Sequence, residues 1–108
     1  MSAIQNAVAQ AKQAAEQASM ALYQKFGRDA GMCGFAWVDV YVSRTNSKEA
    51  KELIAAGFRK DYKPKCLSMW NPGGLGVQNI DIKEAGAEAM ADILRKAGLN
   101  AYAGSRLD

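Results

Sequence analysis

The chain has 108 residues, of which 49% are hydrophobic and 23% charged; this composition predicts one globular domain and excludes a disordered tail protein. No apolar run exceeds four residues and no secretion signal is recognisable, so we expect a cytoplasmic protein without membrane contact. Histidine is absent, which excludes Ser-His-Asp and Cys-His nucleophile systems, imidazole bases and the usual zinc sites of enzymes.

A long N-terminal helix is predicted over residues 2–26, because Ala and Gln dominate this segment and neither Gly nor Pro interrupts it. Gly27 supplies the C-terminal cap, and a loop follows from residue 28 to 34. The chain is accordingly divided into an N-terminal helix, residues 1–27, and an α+β domain, residues 31–108. The helix either lies tightly on the domain or pairs with its copy in a homo-oligomer, because it carries a heptad-like stripe of mostly small side chains: Ile4, Val8, Ala11, Ala15, Ala18 and Leu22.

The clearest strand is Phe35–Val42, where aromatic and β-branched residues predominate. Its alternation separates two faces. The small apolar face is expected to pack in the core and consists of Ala36, Val38, Val40 and Val42. The opposite face is either an exposed aromatic platform or is covered by the N-terminal helix or a second subunit; it consists of Phe35, Trp37, Asp39 and Tyr41.

A short helix is predicted next, beginning at a capping-box-like pair, Asn46 and Glu49, and ending at Gly57. The basic segment that follows, residues 59–65, carries a net charge of +3, equal to that of the whole chain. Clustered cations beside aromatic residues are typical of a phosphate-binding surface. The alternative is a solubilising loop or a charged edge strand that blocks aggregation between sheets.

The remaining pattern predicts two strands, a helix and a last strand. Glycine-rich turn chemistry at Asn71–Gly76 indicates a hairpin loop, and Asp81 with Glu84 indicates a helix start. The predicted elements are strands Lys65–Trp70 and Val77–Ile80, helix 82–97 and strand Leu99–Ala103. This order predicts an α+β, ferredoxin-like βαββαβ fold, with an antiparallel sheet, two helices on one face and the extra N-terminal helix.

Neither cysteine belongs to a metal-binding pattern. Cys33 and Cys66 lack C-x-x-C spacing and histidine partners, so we predict no metal site and no cofactor. Both are interpreted as free thiols and as small buried hydrophobes in a reducing cytoplasm.

The aromatic platform and the basic segment together predict a module that binds single-stranded nucleic acid by base stacking and phosphate contacts. Two features weaken this interpretation: the expected neighbouring strand, Val77–Asp81, has no aromatic residue, and Asp39 would repel phosphate. The consensus motifs of RNA-binding sheets are also absent. The candidate binding residues are Phe35, Trp37, Tyr41, Arg59, Lys60, Tyr62, Lys63 and Lys65.

A possible polar site is the pair of Asp39 and Arg106, since the last strand is expected beside the first. Asp39 is the only charged residue in the strongest strand, so it is the best candidate for a perturbed pKa. The simpler alternative is an ordinary ion pair that fixes the C-terminal tail. No residues have the spacing of a catalytic motif, so no catalytic residue is assigned and a binding protein is favoured over an enzyme.

The sequences Cys33–Val38 and Ser105–Asp108 resemble those of a group of small uncharacterised proteins of tailed bacteriophages, including marine ones. In that group a G-F-A-W-V strand lies near the start of the chain and S-R-L-D ends it. The resemblance covers residues 31–108 and implies a phage product in the host cytoplasm, but no activity. It also implies a site around Trp37, Asp39 and Arg106. An alternative function is therefore a host- or defence-directed interaction protein that self-associates through its N-terminal helix.

Overall fold

The computed structural model describes residues 2–27 and 31–108, which form an α+β fold of three helices and a four-stranded antiparallel sheet. The predicted α+β class is therefore confirmed. Part of the predicted loop, residues 28–30, lies outside the described residues. In chain order the elements are α1 (Ala3–Phe26), β1 (Gly34–Tyr41), α2 (Lys48–Ala55), β2 (Arg59–Lys60), β3 (Cys66–Trp70), α3 (Ile80–Lys96) and β4 (Asn100–Leu107).

The strand order is β2-β3-β1-β4, and every neighbouring pair is antiparallel. The predicted strand Val77–Ile80 is wrong: among the residues that the structure describes, it forms only an isolated bridge between Asn79 and Cys33, and Ile80 already belongs to α3. Asn71–Gly76 is therefore not a hairpin loop but the connection from β3 to α3. The central strand β1 pairs instead with β3, whose last residue is the aromatic Trp70.

The hairpin is formed by the basic segment itself, with β2 as one strand and residues 61–65 as its loop. The Asp61 amide donates to the Cys66 carbonyl at 3.0 Å, and the Lys63 amide donates to the Asp61 carboxylate at 3.3 Å. Lys65 closes the turn with a φ of 55°, a left-handed conformation that is uncommon for a residue other than glycine. The interpretation of this segment as a charged edge strand thus describes Arg59–Lys60.

Helix α1 begins at a capping box between Ser2 and Gln5 and ends at Gly27, whose φ of 74° is that of a left-handed C-terminal cap. The helix packs mainly against α3, where the Ser19 hydroxyl donates to the Ile82 carbonyl at 2.8 Å. Its buried face consists of Val8, Ala11, Ala15 and Ser19. Within one chain, the alanine stripe therefore lies on the domain, the first of the two predicted arrangements.

The starts of the two shorter helices differ from their predicted positions by one or two residues. Ser47 caps α2 by accepting a hydrogen bond from the Ala50 amide, so Asn46 is not the cap. Asn79 caps α3 by accepting from the amides of Asp81 and Ile82. In both cases a neighbouring polar residue takes the role because its side-chain oxygen reaches the first free amides of the helix.

One hydrophobic core joins the three helices to one face of the sheet. From the sheet, it contains the small face predicted for β1 together with Leu67 and Ala101. The helices contribute the side chains Val8, Ala11, Ala15, Ala50, Leu53, Ala87, Met90, Ala91 and Leu94. In the part of the chain that the structure describes, no helix is both long and apolar enough to cross a membrane.

The other face of the sheet is not covered by any of the three helices, and we call it the open face. Directly paired residues in an antiparallel sheet share a face, so its members follow from the register. The open face consists of Phe35, Trp37, Asp39 and Tyr41 from β1, Cys66, Ser68 and Trp70 from β3, Asn100, Tyr102, Gly104 and Arg106 from β4, and Arg59 from β2. Within one chain, the N-terminal helix therefore does not cover the predicted aromatic platform.

The two edges of the sheet differ in length and charge. One edge is β2, which has only two residues, both cationic. The other is β4, which has eight residues and pairs with β1 along its whole length. The backbone of β4 is therefore the long free edge of the sheet.

Candidate functional site

Aromatic rings form the most extensive feature of the open face. Trp37 and Trp70 lie opposite each other and stack, with centroids 4.8 Å apart and an interplanar angle of 27°. Phe35 meets Trp70 edge-on at 6.1 Å. At the other end of β1, Tyr41 meets Tyr102 edge-on, also at 6.1 Å. Trp70 is 50% exposed and Tyr102 52%, so both present ring surface to solvent.

Gly104 provides the space in which the Trp37 indole lies. It pairs with Trp37 across β1 and β4, and a Cβ at this position would lie 2.5 Å from Trp37 Nε1. Any larger residue would displace the ring, because carbon atoms in ordinary contact are about 3.5–4.0 Å apart. The position of the indole over the strand therefore depends on a glycine in β4.

Asp39 lies at the centre of the open face and is only 7% exposed. Its Oδ2 accepts hydrogen bonds from Lys63 Nζ at 2.5 Å and from Trp37 Nε1 at 3.3 Å. The hydrogen bond from Lys63 to this carboxylate raises the pKa of Lys63 well above its usual value. The Asp39 charge is therefore balanced by a cation from the hairpin loop.

The structure does not bring the predicted pair of Asp39 and Arg106 together. Asp39 is opposite Tyr102 on β4, whereas Arg106 is opposite Phe35, so the two side chains are separated along the sheet. The Arg106 guanidinium instead lies 5.6 Å from the Phe35 ring centroid, and Lys83 Nζ lies 5.3 Å from the same centroid. Both distances are within the range of cation–π attraction.

Cys66 and Asp61 complete a polar cluster with Asp39. The thiol sulfur and one oxygen from each carboxylate all lie within 4.8 Å of one another, so these three residues could hold a metal ion. Burial, followed by the nearby Asp39 charge, raises the pKa of the Cys66 thiol to about 11. Both cysteines are free, as predicted, but Cys33 is exposed, because it precedes β1 at the end of the sheet.

The predicted cationic residues separate into three groups. Arg59 is opposite Ser68 and belongs to the open face, whereas Lys60 is opposite the core residue Leu67 and lies on the other side of the edge. Lys63 is held by Asp39. Among the described residues, no carboxylate pairs with Arg59, Lys65 or Arg106. These three charges remain available to an anionic ligand.

A groove of about 310 Å³ crosses this part of the open face. Its floor is the Trp37–Trp70 stack, and Tyr62, which is 93% exposed, lies beside it on the hairpin loop. The groove is lined by Trp37, Asp61, Tyr62, Lys63, Trp70 and Arg106. Aromatic surface, two cations and the Asp61 carboxylate therefore line one depression, whose volume is at the lower end of the range of small-molecule pockets.

Three residues that shape the aromatic part of the open face are not among the predicted binding residues: Trp70, Tyr102 and Gly104. Alternation along the predicted strand Lys65–Trp70 puts Trp70 on one side with Cys66 and Ser68, but the sequence predicts a different strand, Val77–Ile80, as the neighbour of β1. With the correct pairing, the neighbouring strand does carry an aromatic residue. Tyr102 and Gly104 lie in a strand with little side-chain signal, and only the register with β1 reveals their role.

Comparisons of the chain with protein-family models, curated proteins and solved structures found no match. The predicted resemblance to phage proteins therefore gains no support from a relative, and it stays a prediction. The geometry and the charges of the open face are the remaining indications of what the protein binds.

Proposed function

We propose that the open face binds single-stranded nucleic acid, with bases stacking on its aromatic rings. The observation that carries this proposal is the Trp37–Trp70 stack on the two central strands, with Trp70 half exposed. Every base has a π-face, so stacking on such rings tolerates any sequence. Tyr102 and the exposed Tyr62 offer further rings on either side of the stack.

The charge distribution supports the same ligand. Asp39 no longer opposes phosphate, because Lys63 balances its charge. Arg59 and Arg106 lie on the open face beside the aromatic surface, with no carboxylate of the described residues paired to them. A strand of nucleic acid on the stack would thus meet cations at the rim, as single-strand-binding proteins require.

We also infer that the domain after α1 is a ferredoxin-like split βαβ fold. In support, the order of its elements is strand, helix, strand, strand, helix, strand, and β1 lies between β3 and β4. The departure is β2, whose two residues make it much shorter than the other strands. This plan leaves one face of the sheet open, which is the face used by the proposed ligand.

The alternative function is an interaction protein that self-associates. An exposed aromatic face can bind another protein as well as a base, because Trp and Tyr are enriched at interfaces. Self-association through the alanine stripe is less favoured, since Val8, Ala11 and Ala15 are already buried within the chain. Sedimentation of the full chain distinguishes the two: the nucleic-acid proposal needs no dimer.

The proposal is tested by fluorescence anisotropy of labelled oligo-dT and oligo-U titrated with the protein at several salt concentrations. We expect Trp70→Ala to weaken binding about 5- to 150-fold, since one stacked base contributes about 1–3 kcal/mol. Phe26→Ala is the matched control, because Phe26 is 41% exposed but lies on α1, away from the open face.

A second pair of variants tests the cations. Arg106→Gln should reduce the slope of log K against log salt by about 1, whereas Lys51→Gln, on the exposed side of α2, should leave it unchanged. Absence of binding to both oligonucleotides at low salt would refute the proposal. Equal losses in the open-face and control variants would also refute it.

A further inference from the structure

The ammonium group of Lys63 is surrounded by donor atoms that also bind metals. Lys63 Nζ is 2.5 Å from Asp39 Oδ2 and 3.9 Å from Asp61 Oδ2. Ligand atoms from these two carboxylates and from the Cys66 thiol lie within 4.8 Å of one another. The protein therefore has two oxygen donors and one sulfur donor gathered around a single positive charge.

A second observation comes from the other oxygen of Asp39. Asp39 Oδ1 is buried and accepts no hydrogen bond from any residue that the structure describes. The Asp39 side chain as a whole is only 10% exposed. A buried carboxylate oxygen without a donor is costly, and a cation within the cluster would satisfy it.

We propose that Asp39, Asp61 and Cys66 form a binding site for a divalent metal ion of the zinc class, a site that the Lys63 ammonium occupies in the metal-free protein. Zinc binds carboxylate oxygen and thiolate sulfur, and sites with three protein ligands leave the fourth position to water. On binding, the Cys66 thiol releases its proton to solvent and its sulfur bonds to the metal. Lys63 leaves the cluster for solvent, where a third of its side chain already lies.

The geometry requires a small closure of the hairpin loop. Zn–S and Zn–O bonds of about 2.3 and 2.1 Å at a tetrahedral angle separate two ligands by about 3.6 Å. The present spread of 4.8 Å must therefore shrink by about 1 Å. Asp61 can supply this movement because it lies at the start of the loop, whereas Asp39 and Cys66 are fixed on paired strands.

The donor set also selects the class of metal. A thiolate is a soft ligand that favours zinc and related transition metals, whereas Mg²⁺ and Ca²⁺ prefer oxygen ligands alone. Sequence spacing could not predict this site, because its three ligands come from β1, the hairpin loop and β3. The proposal does not depend on nucleic-acid binding, and its test uses no nucleic acid.

The test is a titration of the full chain, stripped of metal with a chelator, with Co²⁺ as the spectroscopic probe and Zn²⁺ as the competitor. We expect a thiolate-to-cobalt charge-transfer band that Zn²⁺ abolishes. The chain provides a matched pair of cysteine variants: Cys66→Ser should lose the band, and Cys33→Ser should keep it. Circular dichroism establishes that both variants are folded. Asp61→Asn, a change in the hairpin loop, should weaken Co²⁺ binding as well.

Lys63 provides a test with the opposite sign. Lys63→Met removes the competing cation, so it should tighten Co²⁺ binding by about tenfold or more, whereas Lys65→Met should not. Absence of the band in both the native chain and Lys63→Met would overturn the proposal. A band that disappears in Cys33→Ser but persists in Cys66→Ser would overturn it too.

Discussion

Replacing Gly104 by alanine should disturb the open face without introducing any polar or charged group. The new Cβ would lie 2.5, 2.6 and 2.9 Å from three atoms of the Trp37 indole. These atoms must retreat by about 1 Å to reach ordinary contact distance. The movement separates the indole from Trp70, 4.8 Å away, and from Asp39 Oδ2, to which its Nε1 donates.

The expected loss of stability follows from these contacts. The stacked pair contributes about 0.5–1.5 kcal/mol and the partly exposed hydrogen bond about 1 kcal/mol. Replacing a glycine also reduces the conformational entropy of the unfolded chain, which offsets about 0.4–1 kcal/mol of this loss of stability. The net destabilisation is therefore about 1 kcal/mol, and with a urea m-value of about 2 kcal/mol/M the midpoint falls by about 0.5 M.

Urea unfolding followed by tryptophan fluorescence measures this change, and near-ultraviolet circular dichroism reports on the coupled indoles. Gly76→Ala is the control, because a Cβ at Gly76 meets no atom within 4 Å and the residue does not need a positive φ. If Gly104→Ala matches this control in midpoint and keeps the near-ultraviolet spectrum, the role assigned to Gly104 is wrong.

Three further predictions concern the rest of the molecule. Gly86→Ala in α3 should lower the free energy of unfolding although alanine favours helices, because the new Cβ would lie 2.5 Å from Ser19 Oγ. Urea unfolding measures this change, and an increase in the free energy of unfolding would contradict the packing of α1 on α3. Asn79→Ala should lower the free energy of unfolding by about 1 kcal/mol, because it removes the N-terminal cap of α3. An unchanged midpoint of urea unfolding would show that the cap is dispensable. The free energy of unfolding should fall as pH rises from 9 towards 11. The Cys66 thiol ionises near its usual pKa of 9.0 in the unfolded chain, whereas burial raises its pKa to about 11 in the folded protein. The unfolded state therefore binds fewer protons than the folded state in this pH range, which favours unfolding. Cys66→Ser should reduce this fall and Cys33→Ser should not, as pH-dependent unfolding would reveal.

The sequence predicted the elements in which local signals agree. Helix α1 and strand β1 lie within one residue of their predicted bounds, because an uninterrupted Ala-rich segment and a strict alternation of side chains leave little choice. The hairpin was assigned to the wrong place for a similar local reason. Asn71–Gly76 has the residues typical of a turn. The actual hairpin closes through Lys65, a positive-φ residue that the sequence does not mark with a glycine.

The candidate site could be predicted only where one strand determines it. Phe35, Trp37, Asp39 and Tyr41 were placed together because they alternate along β1. The partner of Asp39 could not be predicted, because Lys63 lies in a loop whose position depends on strand pairing. The same pairing decides that Trp70 and Tyr102 share the face, so these two half-exposed rings could not be assigned to it from the sequence.

The unequal edges of the sheet limit how these chains can join through their backbones. Two copies could align their β4 strands side by side in opposite directions, which gives a closed pair with two-fold symmetry. The edges left outside such a pair would be the two β2 strands, each with two cationic residues. A short, positively charged edge disfavours pairing with another strand, so such a pair would not extend readily through its outer edges. The fold thus permits a discrete dimer and disfavours a fibril.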